Sequence, residues 1–420
     1  MLVEFRITNY RSFQDTAVLS MVASKDPTLE ASNCIDTTPE LLRSAVLYGA
    51  NASGKSNLIL ALAFMKNMVE VSATGLREGQ SLNIAPFRFN VETTKQPSEL
   101  EITFIDNGIR YQYGFAANAT RIVKEWLLVY KTARAQRWFE REYNEKENKE
   151  NWYFGSYFLE SHRHQIWRES TRANALFLST AVNLNSEQLR PIYKWFAERL
   201  IVLPVPNVPI PLDITLAHLK ENKKSKILDF LQAADLGIKD VHIEMRKGKQ
   251  VQWNFQPGAN NQLVAGSEKE IDVPIITFIH QGKDDRPVTF GINEESHGTQ
   301  RLFSYAGFFL EALNNGKILV IDELCSSLHP KMVRFLIKLM HNPKINQDNA
   351  QLIFSTHNTS LLDTTELFRR DQIWFIEKNR EQSSQLYPLT DFSPRKEEAI
   401  EKGYLVGRYG ALPFLGDLKF

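Results

Sequence analysis

Cysteine is nearly absent from this chain. Only Cys34 and Cys325 occur among 420 residues, far apart and with no His or Cys neighbour at metal-ligand spacing, which excludes a disulfide framework and an ordinary zinc site. Charge of one sign is lacking too. With 50 basic against 49 acidic side chains the net charge is +1, so no global field draws the chain onto nucleic acid or a membrane. No apolar run reaches the roughly 18 residues of a membrane span, and no internal repeat, low-complexity tract or heptad series is present. Met1 leads into Val3, Phe5 and Ile7 alternating with Glu4, Arg6 and Thr8, a strand pattern in place of the apolar core of a signal peptide. A soluble protein of the reducing cytoplasm is expected, long enough for about two or three domains.

What is present centres on Gly49-Ala-Asn-Ala-Ser-Gly54-Lys55-Ser56, a full match to G-x-x-x-x-G-K-[ST]. Before it Ser44 to Tyr48 reads as an apolar strand, and after it Leu58, Ile59, Leu62, Met65 and Met68 recur at helical spacing. Strand, glycine loop and helix together aim backbone N–H groups and a helix N-terminus at one anion. Asn51, Ala52, Ser53, Gly54, Lys55, Ser56 and Asn57 are the candidate phosphate-binding residues. Lys55 is placed to reach the β and γ oxygens, and the Ser56 hydroxyl to ligate Mg²⁺.

Further along, Asp106-Asn-Gly108 between alternating segments predicts an antiparallel hairpin. Residues 139 to 152 carry charges of both signs with no apolar face and read as a solvated loop. Residues 173 to 203 look helical, and the prolines between Leu203 and Pro211 mark a boundary. Helical pattern returns over 212 to 236, with Lys220, Lys223, Lys224 and Lys226 on a solvated face, and strand-like pieces fill 240 to 290.

Ile318-Leu-Val-Ile-Asp322-Glu323 reads as a buried parallel strand delivering two carboxylates to its C-terminal edge. Asp322 suits Mg²⁺ binding through water, and Glu323 suits polarising an attacking water. A second apolar strand, Gln351 to Ser355, leads to His357, a candidate γ-phosphate or water contact. Between loop and acids, Ser296, Gly298 and Gln300 open a helix and offer a second set of donors, which makes sense if they serve a nucleotide held by another subunit.

These motifs in this order, with Ser327-Leu-His-Pro330 after the acids, resemble the ATP-binding-cassette class of ATPases, in the branch of the structural-maintenance, Rad-type repair, RecF and overcoming-lysogenisation ATPases. The resemblance implies that Ser296 to Gln300 is the signature motif, with His297 where Gly is usual. It makes Ser326 to His329 the D-loop and His357 the switch histidine. It also implies that Arg11, in Ile7-Thr-Asn-Tyr-Arg-Ser-Phe13, approaches nucleotide, and leaves Gln80 and Pro86 to Phe89 as Q-loop candidates. Within the branch, Leu47 to Asn57, Pro86-Phe-Arg88, Asn174 to Leu178 and Glu401 to Ala411 resemble the AAA-family ATPases of phage-defence modules, the RloA and AbiL type related to the PARIS ATPase AriA.

The expected fold is therefore an α/β P-loop NTPase of ABC-ATPase type, with a mixed central sheet, an antiparallel subdomain and an inserted helical or mixed lobe. The expected domains are 1–185, a lobe at 190–290, and 291–420. The expected function is ATP and Mg²⁺ binding between two subunits, with Glu323, His357 and Lys55 catalytic, to control a separately encoded effector, a Toprim-like nuclease, after a phage trigger. A repair ATPase acting directly on DNA would need a basic path or long coiled coils. A nuclease or toxin reading would rest on Arg334 and His341, which fall on an apolar helix.

Overall fold

The computed structural model describes residues 1–204, 210–221, 223–234, 236–256, 262–395 and 398–413. The chain divides into two compact units, Met1–Pro209 with Glu311–Phe420, and Ile210–Leu310. Most of the proline-rich stretch between Leu203 and Pro211 lies outside the described residues.

The first unit holds two sheets. One has six strands in the order Leu200–Leu203, Ile318–Ile321, Gln351–Ser355, Ser44–Tyr48, Ile373–Lys378, Ser384–Pro388. The first five run parallel and the last is antiparallel, so the sheet is mixed. Ser44–Tyr48, Ile318–Ile321 and Gln351–Ser355 are buried at every position, which explains their continuous apolar sequences: a strand covered on both faces has no polar side to alternate with. The other sheet is antiparallel, in the order Lys149–Phe154, Gln136–Asn144, Ile122–Tyr130, Ile109–Ala117, Ser98–Asp106, Leu2–Thr8, Ala17–Ser20. The Lys55–Val71 helix buries Leu58, Ile59, Leu62, Met65, Met68 and Val69, and one apolar core joins it to Phe5, Ile102 and Tyr113 of the antiparallel sheet and to Leu47, Val320 and Ile353 of the parallel one.

The hairpin expected at Asn107-Gly108 forms, with Asp106 paired to Ile109 and both turn residues at positive φ. Residues 139 to 152 are not the solvated loop that their charges suggest. Gln136–Asn144 and Lys149–Phe154 form a second hairpin. Its inward positions include Arg141, which is buried against Glu125 at 2.9 Å, and this hides the apolar alternation. The Glu125 carboxylate also accepts from the Phe177 and Leu178 N–H groups at 2.7 and 3.0 Å and from the Tyr113 hydroxyl at 3.0 Å, which offsets the desolvation of the pair. Residues 173 to 203 are likewise not helical throughout. Helix runs over Phe177–Asn183 and Arg190–Lys194, a π-turn covers Trp195–Arg199, and Leu200–Leu203 is a strand beside Ile318–Ile321. A four-residue apolar run carries no periodicity that separates the two states.

His341 is buried, its Nε2 2.8 Å from the Ser44 hydroxyl, while Arg334 pairs with Asp363 at 2.5 Å. Both residues of the nuclease reading thus have partners within the fold. Burial, with the Arg43 guanidinium nearby, pushes His341 down to about 3 from its usual 6.5. The unfolded chain binds this proton as pH falls below 6.5 and the folded chain does not, so the stability contribution is complete above 6.5 and is lost as pH falls toward about 3. The denaturant midpoint is expected to drop across that window, and to drop less steeply in His341→Gln, where glutamine keeps a polar atom near Ser44. Equal slopes in the two proteins would refute the linkage.

In the second unit Ile238–Gln256, Gln262–Gln281 and Pro287–Gly291 form a three-stranded antiparallel sheet. Asp213–Lys220, Lys224–Ala233 and the start of His297–Asn315 supply its helices, with Phe303 edge-on to Phe278 at 5.0 Å. A β-carbon at Gly307 would overlap the Thr215 backbone, which is why the two helices approach so closely there. Of the four lysines, Lys224 pairs with Asp240 at 2.6 Å and Lys223 with Glu221 at 2.9 Å, while Lys220 and Lys226 are exposed.

Candidate functional site

The loop after Ser44–Tyr48 turns on positive φ at Ala52 (62°) and Gly54 (121°), and the Lys55–Val71 helix begins at once. A β-carbon at Gly49 would overlap the Ile376 carbonyl, and one at Gly54 the Ser384 hydroxyl. Both glycines are therefore required by the close approach of neighbouring chain. The first N–H groups of the helix have no intrahelical acceptor and carry its positive end. Lys55 folds back over the loop, donating to the Gly49 and Ala50 carbonyls at 2.7 and 2.9 Å. Burial lowers its pKa to about 8, although Asp322 and Glu323 lie close enough to oppose the shift. Asn51 and Ala52 are exposed, Ser56 is half-buried, and Ser53 is buried with no partner for its hydroxyl.

Asp322 and Glu323 follow the end of Ile318–Ile321, one strand removed from the loop strand, with Gln351–Ser355 between them. Ser355 organises both acids. Its hydroxyl donates to Asp322 Oδ1 at 2.5 Å and accepts from the Glu323 N–H at 2.8 Å. Asp322 is buried, and its Oδ2 has no partner. Glu323 is held at φ 50°, a left-handed conformation that costs a non-glycine residue about 1–3 kcal/mol and is maintained by the Ser355 contacts. His357 Nε2 stands 3.4 Å from Glu323 Oε1. Desolvation, aided by Lys55, lowers its pKa against the pull of Glu323, which favours the neutral ring.

Lys55, Asp322, Glu323 and His357 are thus brought into one electrostatic group in the first unit. Arg11, at φ 51°, is exposed on the adjoining turn, where its N–H donates to the Ala85 carbonyl beside the Pro86 to Phe89 segment. That turn is tied to the loop region through Ser12, whose hydroxyl accepts from Asn57 Nδ2 at 2.8 Å and whose carbonyl accepts from Ser384 N–H at 2.7 Å. Gln80 instead caps its own turn by accepting from the Arg77 N–H at 2.9 Å. Ser296, Gly298 and Gln300 belong to the second unit, where the Ser296 hydroxyl accepts from the Thr299 N–H at 3.1 Å and starts the His297–Asn315 helix. Reading the sequence missed Ser355 and Ser384. Ser355 lay inside a motif searched only for its histidine, and Ser384 carried no local signal at all.

A buried carboxylate with one unpaired oxygen, a half-buried hydroxyl and a lysine at a helix N-terminus make a donor set that fits nucleotide phosphates with a divalent cation. Among the described residues no cluster of three or more His, Cys, Asp or Glu that could hold a metal ion by itself is present. No helix among them is long and apolar enough to cross a membrane.

The model of one protein family, described as "AAA domain, putative AbiEii toxin, Type IV TA system", matches residues 44–363. The chain belongs to this AAA family. The match begins at the loop strand and takes in both carboxylates and His357. A search among curated proteins gives no match. Among solved structures, the AAA-family chain is similar to an SmcHead bound to the C-winged helix domain of ScpA, at 14% identity and TM-score 0.41 over 95% of this chain and 99% of that one. It is similar to the SMC head domain from Thermotoga maritima, at 14% identity and TM-score 0.40 over 92% and 98%. A third, an Smc head domain with an extended coiled coil bound to the C-terminal domain of ScpA derived from Pyrococcus furiosus, gives 12% identity and TM-score 0.41 over 96% and 98%.

Proposed function

We propose that this AAA-family chain is an ABC-type ATPase of the cytoplasm that hydrolyses ATP and uses the cycle to control an effector nuclease during phage infection. The observation that carries the enzymatic part is the unpaired, buried Asp322 Oδ2 in the same electrostatic group as Lys55, Glu323 and His357. Lys55, Ser53 and the helix N-terminus bind the β and γ phosphates, and Arg11 approaches from the neighbouring turn. Ser56 and, through water, Asp322 would hold Mg²⁺, which would neutralise phosphate charge when bound. Glu323 accepts the proton of the attacking water as its oxygen bonds to γ-phosphorus and the bond to ADP breaks. Neutral His357 has a single N–H, which it donates from Nε2 to Glu323 and so orients the base. The family's printed description, with its AbiEii toxin and type IV TA system, supports the abortive-infection setting.

Ser296, Gly298 and Gln300 act in this reading on the nucleotide of a second copy. Lys55→Ala and Gly298→Asp proteins, each inactive alone, are therefore expected to regain about one competent site per heterodimer when mixed, as composite-site symmetry requires. Phosphate release measured over a mixing series reads this directly. A mixture that never exceeds the sum of its parts would remove the two-subunit site.

A further inference from the structure

Residues 398 to 413 have no part in the chemistry above, yet they are packed behind it. The short helix Ile400–Leu405 places Glu401 so that its Oε1 accepts from the Thr359 hydroxyl at 2.9 Å. Thr359 opens the 3₁₀ turn Thr359–Leu361, two residues beyond His357. The Asn358 carbonyl between them accepts from the Tyr48 hydroxyl at 3.2 Å, and Tyr48 is the last residue of the strand that enters the phosphate loop. Tyr404, one helical turn from Glu401 and buried, lies 5.9 Å from the Tyr48 ring and stacks on Phe375 at 5.4 Å. The next residue, Ile376, is the one whose carbonyl closes against Gly49.

The segment is closed on itself and on the sheet rather than draped over it. The Tyr404 hydroxyl donates to the Ala411 carbonyl at 3.1 Å, and the Ala411 N–H donates to Glu377 Oε2 at 2.7 Å. Tyr409 stacks on Phe375 at 5.8 Å, so one aromatic stack joins the tail to the strand neighbouring the phosphate loop. A single element therefore touches both arms of the site, the loop that carries His357 and the strand that leads into Gly49.

We propose that Glu401 and Tyr404 are positioning residues for hydrolysis, which fix the Asn358–Thr359 turn and through it the placement of His357 against Glu323. The proposal rests on the ATPase reading above. Chemistry of this kind depends on geometry held to fractions of an ångström, and a displacement of about 1 Å at a group that does not itself react costs up to about 100-fold. The Glu401–Thr359 bond is half-buried and acts beside the Tyr48–Asn358 bond and the Asn358 side chain that caps Ser360, so its loss loosens this 3₁₀ turn without emptying the core.

The test uses the purified full chain, with kcat and KM for ATP and the affinity for a non-hydrolysable ATP analogue measured on the same preparations. Glu401→Ala and Thr359→Val are each expected to lower kcat about 10-fold while KM and analogue affinity stay within about 2-fold, since only transition-state geometry is disturbed. The double variant is expected to be no slower than either single one, because both remove the same bond. Glu401→Gln and Thr359→Ser keep an acceptor and a hydroxyl and are expected to retain most of the rate. Tyr404→Phe, which keeps the stack, separates its hydroxyl from its ring. If Glu401→Ala fails to fold, Thr359→Val carries the same test. Wild-type kcat in both, or a loss of kcat matched by equal loss of analogue binding, overturns the proposal. Lys55→Ala run alongside keeps the two readings apart: an active Lys55→Ala defeats the ATPase reading, whereas an inactive one beside a fully active Glu401→Ala defeats only this inference.

Discussion

On the proposed function, Lys55→Ala is expected to abolish ATP hydrolysis and, in cells, defence against phage. Lys55 is the cation at the centre of the site, buried with its ammonium on the Gly49 and Ala50 carbonyls and with both carboxylates close enough to act on its pKa. Transferring a phosphoryl group gathers negative charge on oxygens that positioned cations and N–H dipoles stabilise. Alanine removes the loop's own side-chain cation and leaves Asp322 and Glu323 facing the phosphates with no opposing charge from the loop. The effect is expected on both binding and turnover, because the lysine contacts ground state and transition state alike. Phosphate release by the purified variant, with far-ultraviolet dichroism to establish folding, decides the matter. A folded Lys55→Ala protein with unchanged activity would sink the assignment.

Glu323→Gln is expected to bind ATP and to hydrolyse it at least about 100-fold more slowly, the usual scale for losing a general base. Glutamine has the same shape, and the contact that holds this residue at φ 50° comes from its backbone N–H to Ser355, so the substitution leaves the strained turn in place. What it loses is proton affinity. Asp322→Asn is expected to behave differently, because the unpaired Oδ2 is the atom offered to a cation and an amide is a poor substitute. Nucleotide affinity measured with and without Mg²⁺ separates the two. Equal loss of binding in both variants would refute the division of roles.

Several elements were legible in the sequence because the chemistry was local. The phosphate loop needs glycines at fixed offsets and a lysine at a helix start, so eight consecutive residues announce it. The carboxylate strand is buried on both faces, and continuous burial writes continuous apolar sequence. The Asn107-Gly108 hairpin was readable for the same reason, since both turn residues take left-handed φ. The second hairpin was not, because Arg141 occupies an inward position and is tolerated there only through Glu125, sixteen residues away and on the neighbouring strand.

Sequence by itself determined that this chain has a strand, glycine loop and helix in succession, a strand ending in two acids and a following histidine, since each is a pattern within a few residues. Only the tertiary structure decided that these segments share a site. Lys55, Glu323 and His357 meet because three parallel strands lie side by side in the order carboxylate strand, Gln351–Ser355, loop strand, an order that no local pattern encodes. The same holds for Ser355, which bridges both acids, for Ser384, which packs against Gly54, and for Glu401, which reaches the turn after His357. Each of these is an ordinary polar residue whose role is set by what lies across space from it, and hydrogen bonds between residues tens or hundreds apart leave no periodicity in the chain that makes them.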